Sequence, residues 1–281
     1  MTKTLLLALF ISTILLTSCS TTKTQFGETV IENTADTSLS KQAILKIRSL
    51  NNDIFDSATF VGKEQIEIKY RLFKPNQLKT KEKYPLVVIY HSSGRPVGTD
   101  NKSQLGILQK LFASPDIQNK YPAYVLAPQF PTRSSDYVMD TSRNVLYSTP
   151  RSCLNSVLSL IDTLKLNLNI DTKRIYVIGF SMGGSTVINS LSARPELFAA
   201  GISISGIPQF DKIQDLATTP IWLIHGIDDT ENPINSDEQF YREMSKNIRY
   251  WKLKATTHDN VFTTQILGET LPKWLFKQRK K

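Results

Sequence analysis

A serine hydroxyl is a working nucleophile at neutral pH only when an adjacent base takes its proton and a third group orients that base. One serine of this chain is set up for that role. Ser181 stands between Gly179 and the pair Gly183-Gly184, after the apolar run 175–178 and before a helix-like segment at 185–193. The pattern implies a strand, a sharp turn and a helix, with the hydroxyl at the apex. Flanking residues without a Cβ let strand and helix approach closely. Only three histidines are available as the base. His91 and His225 each directly follow an apolar run, whereas His258 lies in a polar loop after a strand-like segment ending at Lys254. His258 is the expected base. Asp228 and Asp229, in the loop after the run 220–225, are the rival acids to orient it.

The elements that must position these groups are legible in the periodicity. Residues 65–73 alternate apolar and polar side chains, which predicts a half-exposed antiparallel strand at a sheet edge. The continuous apolar run 85–90 predicts a strand covered on both faces. A helix is expected at 103–114, stopped by Pro115, and a short strand at 123–127. Residues 152–166 form a clear amphipathic helix, with Leu154, Val157, Leu158, Ile161 and Leu164 on one stripe. Further strands are expected at 198–205, 220–225 and 249–254, with helices at 236–246 and 261–278. Strands alternating with helices of this length predict an α/β fold with a mostly parallel sheet. Ligands then belong at the carboxyl ends of the strands, where Ser181, Asp229 and His258 all stand. The long polar stretch 129–149, with Arg133, Asp136, Tyr137, Arg143 and Tyr147, reads either as a loop shaping the substrate pocket or as a solvated crossover.

The chain has 281 residues, of which 40% are hydrophobic and 21% charged. That composition and length suit one large globular domain with its own core. The net charge of +9 is spread along the sequence, dense only near the C-terminal lysines, so nucleic acid is not an expected partner. At the N-terminus Lys3 precedes the apolar run 5–16, too short for a stable span and right for a signal segment. Leu16-Thr17-Ser18-Cys19 then resembles a bacterial lipoprotein signal, which implies cleavage after residue 18 and lipidation of Cys19. The Thr- and Ser-rich stretch 19–40 is expected to be a flexible tether, followed by a single domain at 41–281. Cys153, the second of two cysteines, then has no disulfide partner and is expected as a small buried apolar group.

Together the motifs resemble the α/β-hydrolase superfamily, in its carboxylesterase, feruloyl esterase and polyhydroxybutyrate-depolymerase-like branch. The matching residues are 85–94, Ala127-Pro128-Gln129, 179–184, His225 to Pro233, His258 and Lys273-Trp274-Leu275, within a span of roughly 60–278. Gly-x-Ser-x-Gly is that fold's nucleophile elbow, and the order Ser181, Asp, His258 is its triad order. The resemblance of 225–233 to a His-Gly-x-x-Asp-x-x-x-Pro stretch implies Asp229, rather than Asp228, as the acid, and a structural role for His225. It also implies an oxyanion hole formed by the Met182 and Ser93 amides. The sequence departs from the family's His-Gly-x-Gly turn at Ser92, which bears on the level of activity rather than the reaction class.

The expected fold is therefore the α/β-hydrolase fold, a mostly parallel central sheet with an antiparallel N-terminal edge and helices on both faces. The expected activity is that of a serine esterase acting through an acyl-enzyme on a small-molecule or polysaccharide-linked ester. No metal or cofactor is implied. The protein is expected to be exported and held by its lipid anchor to the cell envelope, with the outer membrane preferred. Two alternatives stand beside this: a serine peptidase of prolyl-oligopeptidase type on short peptides, and a catalytically silent binding lipoprotein that keeps the fold.

Overall fold

The computed structural model describes residues 26–32, 37–76, 78–94, 97–244 and 246–281. Cys19 and the apolar run before it lie outside the described residues. Eleven strands are described: β1 Gly27–Ile31, β2 Asp56–Val61, β3 Glu67–Phe73, β4 Tyr84–Tyr90, β5 Tyr124–Gln129, β6 Ser135–Asp140, β7 Val145–Pro150, β8 Ile170–Phe180, β9 Ala200–Ile204, β10 Ile221–Gly226 and β11 Ile248–Leu253. The helices are α1 Thr37–Arg48, α2 Ile107–Ala113, α3 Pro115–Gln118, α4 Cys153–Asn167, α5 Met182–Ala193, α6 Asn235–Met244, α7 Thr264–Leu267 and α8 Thr270–Leu275.

Nine strands form one sheet in the order β1-β11-β10-β9-β8-β4-β5-β3-β2. All neighbours run parallel from β1 to β5, while β3 is antiparallel to both β5 and β2. Strands β4, β5, β9 and β10 are buried along their whole length, because helices cover both faces. One core layer packs α4, α5 and α6 against the sheet; the other holds α2, α7 and α8. In the second layer Trp222 meets Trp251 and Trp274 edge-on, with ring centroids 4.7 and 5.3 Å away. Edge-on pairs of this kind contribute about 0.5–1.5 kcal/mol each beyond burial. They fix the C-terminal helix behind β10 and β11, the two strands that deliver Asp229 and His258.

Five expectations are corrected. Within the expected tether, residues 27–31 pair in register with β11, from Gly27 opposite Arg249 to Ile31 opposite Leu253. The β-branched run Thr29-Val30-Ile31 fits an edge that would otherwise be left open. The sheet edge expected at 65–73 belongs to β2, which lies outside β3. The helix expected at 103–114 begins only at Ile107, and the one at 261–278 is two short pieces, α7 and α8, separated at Gly268 and Glu269.

The fifth correction concerns 129–149, which is no irregular loop. Strands β6 and β7 pair as an antiparallel hairpin. Its inner side is hydrogen-bonded to α5: Thr186 Oγ1 lies 2.7 and 3.0 Å from the Ser134 and Ser135 hydroxyls. Asn189 donates to Ser135 Oγ at 2.9 Å and accepts from Ser148 Oγ at 3.0 Å. Arg143 then clamps the hairpin to α6 through both carboxylate oxygens of Glu243, at 2.7 and 3.1 Å.

Candidate active site

Ser181 follows the last residue of β8 and caps α5 with φ 57° and ψ −123°, a backbone state that L residues rarely adopt. Its N–H donates to the Ile204 carbonyl at 2.9 Å, and its own carbonyl accepts from Ser185 N–H at 3.0 Å. Such a strained conformation persists only where its surroundings enforce it. Here the enforcement is backbone contact. A Cβ on Gly183 would stand 2.5 Å from the Tyr90 carbonyl oxygen and 2.9 Å from that of His91, and one on Gly179 would strike the Gly183 carbonyl. Glycine alone lets α5 start this close to the end of β4.

The structure brings Ser181, His258 and Asp229 into one line. His258 Nε2 is 2.9 Å from Ser181 Oγ, and His258 Nδ1 is 2.7 Å from Asp229 Oδ2. With Nδ1–H donating to the carboxylate, Nε2 faces the serine hydroxyl as an acceptor. The imidazole is 6% exposed and lies beside the Phe180 ring, centroids 4.9 Å apart. Asp229 is 5% exposed, and its other oxygen, Oδ1, accepts the Glu231 and Asn232 amides at 3.0 and 2.9 Å. Burial alone would raise its pKa, but hydrogen bonds from His225, His258 and the Asn232 amide hold it well below the usual carboxylate range. Asp228 points to solvent and takes no part in this network.

Met182 is the first residue of α5 and is buried, so its backbone lies at the positive end of the helix. Ser93 lies half-buried in the turn after β4, the turn whose carbonyls crowd Gly183. That turn is held by a residue to which the sequence assigned no role. His91 is buried; its Nε2 accepts the Phe130 N–H at 2.9 Å, so Nδ1 carries the proton and donates to the Ser92 carbonyl at 2.7 Å. Burial pushes this imidazole down to about 4, against a smaller opposing effect of the Ser92 carbonyl. His91 is a neutral brace.

His225 is completely buried. It lies behind Asp229, with Nδ1 2.7 Å from Asp237 Oδ2 and Nε2 2.7 Å from the Asn232 carbonyl. Asn232 in turn donates to the Ser205 carbonyl at 2.7 Å, tying the acid loop to the end of β9. Cys153 is buried with a free thiol, and burial pushes its pKa up. Among the described residues, no group of three or more His, Cys, Asp or Glu side chains is arranged to hold a metal ion. Nor, among those residues, is any helix long and apolar enough to cross a membrane. What the arrangement can do is activate a hydroxyl against an electrophile placed over the start of α5.

Comparison with known proteins agrees with that chemistry. Residues 142–263 match the prolyl oligopeptidase family. A thermostable esterase of known structure superposes with a TM-score of 0.72 and 32% identity, covering 81% of this chain and 64% of its own. A bifunctional acetylxylan esterase/xylanase from Neocallimastix patriciarum is 38% identical over 73 residues, which is 26% of this chain and 11% of that protein. A ferulic acid esterase from Anaeromyces mucronatus shares the fold, with a TM-score of 0.57 and 13% identity over 76% of this chain and 88% of its own. The chain thus spans 64% of the thermostable esterase and about a tenth of the xylan-active protein.

Proposed function

We propose that this chain, which has the α/β-hydrolase fold, is a serine hydrolase of carboxylic esters. The observation that carries the proposal is the continuous line from Ser181 Oγ through His258 to Asp229, with spacings of 2.9 and 2.7 Å. Ser181 attacks the ester carbonyl while His258 Nε2 takes the hydroxyl proton, and Asp229 holds the imidazole and balances its charge. The Met182 and Ser93 amides meet the developing oxyanion. His258 returns the proton to the leaving alcohol, and a water activated in the same way releases the acyl group from Ser181.

The likeness to the thermostable esterase favours an ester substrate, and the matched segment of the acetylxylan esterase favours small acyl groups, including acyl groups carried on polysaccharides. The match of 142–263 to the prolyl oligopeptidase family supports a second reading, a peptidase on short peptides. A fluorophosphonate probe tests what both share: no adduct on Ser181 in the folded protein would overturn the two together and leave a silent binding protein. Turnover of p-nitrophenyl acetate and feruloyl esters against aminoacyl anilides then separates esterase from peptidase. The segment 16–19 supports export with a lipid on Cys19 and an envelope location, preferentially at the outer membrane. Metabolic labelling with a fatty acid, lost in Cys19→Ser, tests it.

A further inference from the structure

The geometry points to His225 as a positioning cation for the triad: an imidazolium held by Asp237 that grips the same Asp229 oxygen used by His258. The inference rests on the triad reading above for its catalytic consequence, but not for the charge on His225. Both ring nitrogens face acceptors. Nε2 lies 2.7 Å from the Asn232 carbonyl oxygen and 3.3 Å from Asp229 Oδ2; Nδ1 lies 2.7 Å from Asp237 Oδ2. A carbonyl carries no proton, so Nε2 must donate. A neutral ring would then have to accept a proton at Nδ1 from a protonated Asp237.

Two features favour the charged ring. Imidazole is a stronger base than a carboxylate, and the second carboxylate, Asp229, lies within reach of the same ring. Asp237 Oδ1 is buried without a hydrogen-bond partner, so the contact with His225 is the electrostatic support this carboxylate has. Burial alone would lower the imidazole pKa, yet Asp237, Asp229 and the Asn232 carbonyl together push it up to about 10. Burial pushes the Asp237 carboxyl up, opposed by the charge and hydrogen bond of His225; Asp229 and Glu238 act in the same direction as burial, and the Tyr250 phenol of β11 lies close enough to feel the Asp237 charge. His258 is faced by Asp229, by Ser181 and by the Glu231 carboxylate 3.8 Å from Nε2. From the hairpin comes Tyr137, whose hydroxyl lies 3.1 Å from Ser185 Oγ.

The consequence follows from sharing one oxygen. Asp229 Oδ2 faces both imidazoles, and a cation on His225 offsets part of the negative potential that this oxygen presents to His258. Removing the cation should move the acid limb of the kcat/KM profile upward.

The experiment uses the full chain with 15N-labelled histidine, in which only three imidazoles need assignment. Ring nitrogen spectra from pH 5 to 9 should show His225 protonated on both nitrogens throughout, in the wild type and in Ser181→Ala alike. In Asp237→Asn the ring should become singly protonated, and the acid limb for p-nitrophenyl acetate should rise by about half a pH unit or more. A singly protonated His225 in the wild type at pH 7 overturns the inference. So does an unmoved acid limb in a folded Asp237→Asn whose His225 has lost its second proton. If Asp237→Asn does not fold, His225→Gln supplies the limb measurement, and the wild-type spectrum still decides the charge. Absence of ester turnover in the wild type would sink the hydrolase reading while leaving the charge of His225 to be read independently.

Discussion

Asp228 and Asp229 are adjacent in sequence, yet one faces solvent and the other is 5% exposed with both carboxylate oxygens engaged. The difference comes from the turn after β10. Asp228 N–H donates to the Thr256 carbonyl at 3.0 Å and Asp229 N–H to the Gly226 carbonyl at 3.3 Å, which aims the second side chain inward. Asp229→Asn should lower kcat for ester turnover on the order of 10⁴-fold, by presenting the wrong imidazole tautomer to Ser181. Asp228→Asn should stay within about threefold of the wild type, as an exposed substitution away from any network does. Comparable losses in both variants would refute the assignment of the acid.

The approach of α5 to the end of β4 leads to a second expectation. Gly183→Ala would put a methyl carbon 2.5 Å from the Tyr90 carbonyl oxygen. Backbone on both sides cannot rotate away as a side chain could, so a destabilisation of about 1–3 kcal/mol or more is expected. The same shift would move the turn that carries Ser93 off the nucleophile, so turnover should fall even where the variant folds. Urea titration beside ester kinetics reads both; an unaltered midpoint would show that the elbow is looser than the contact implies.

The contact between the hairpin and α5 is polar and buried. Asn189→Leu would strip one partner from the Ser135 hydroxyl and one from that of Ser148, both completely buried. Leaving a buried hydroxyl unpaired costs about 1–3 kcal/mol. The urea midpoint should fall with an unchanged m value, because the core stays intact while the seam between hairpin and helix loses partners. A midpoint equal to the wild type's would mean that the hydroxyls find other acceptors.

What was legible in the sequence was whatever announces itself locally. Ser181 stands out because a strand, two glycine positions and a helix surround it within a dozen residues. His258 stands out because histidines are scarce and the order along the chain is restrictive. Asp237 could not be found this way. It sits in the first turn of α6, where an acidic residue is expected on helix-dipole grounds alone, and only the folded chain brings His225 beside it. The hairpin was missed for a related reason. Its strands are short, and their inner side is serine rather than an apolar stripe, because the surface they cover is the polar side of α5. The available signal was a helix carrying Ser185, Thr186, Asn189, Ser190 and Ser192 among its apolar residues, but a partner for them is a non-local fact. The β1 edge strand is non-local as well: five residues of modest hydrophobicity gain their order from the open side of β11.

His91 and His225 make opposite contributions to the dependence of stability on pH. The folded-state value of His91 is depressed from 6.5 to about 4, because burial disfavours the charged ring by more than the Ser92 carbonyl favours it. As pH falls through 6.5 the unfolded chain takes up a proton at this position while the folded chain does not, so stability declines until about pH 4. One proton of difference corresponds to about 1.4 kcal/mol per pH unit, or about 3 kcal/mol across the window. His225 has the reverse sign. Raised from 6.5 to about 10, it contributes stability that is complete below the lower value and is lost as pH climbs through the higher one. Stability measured by urea titration should therefore fall on both sides of a maximum near neutrality. His91→Gln should flatten the acid side by up to one proton while leaving the alkaline side in place, and His225→Gln should do the opposite. An acid-side slope as steep in His91→Gln as in the wild type would assign that loss to the carboxylates instead, and would mean that the brace under the Ser92-Ser93 turn takes up its proton without strain.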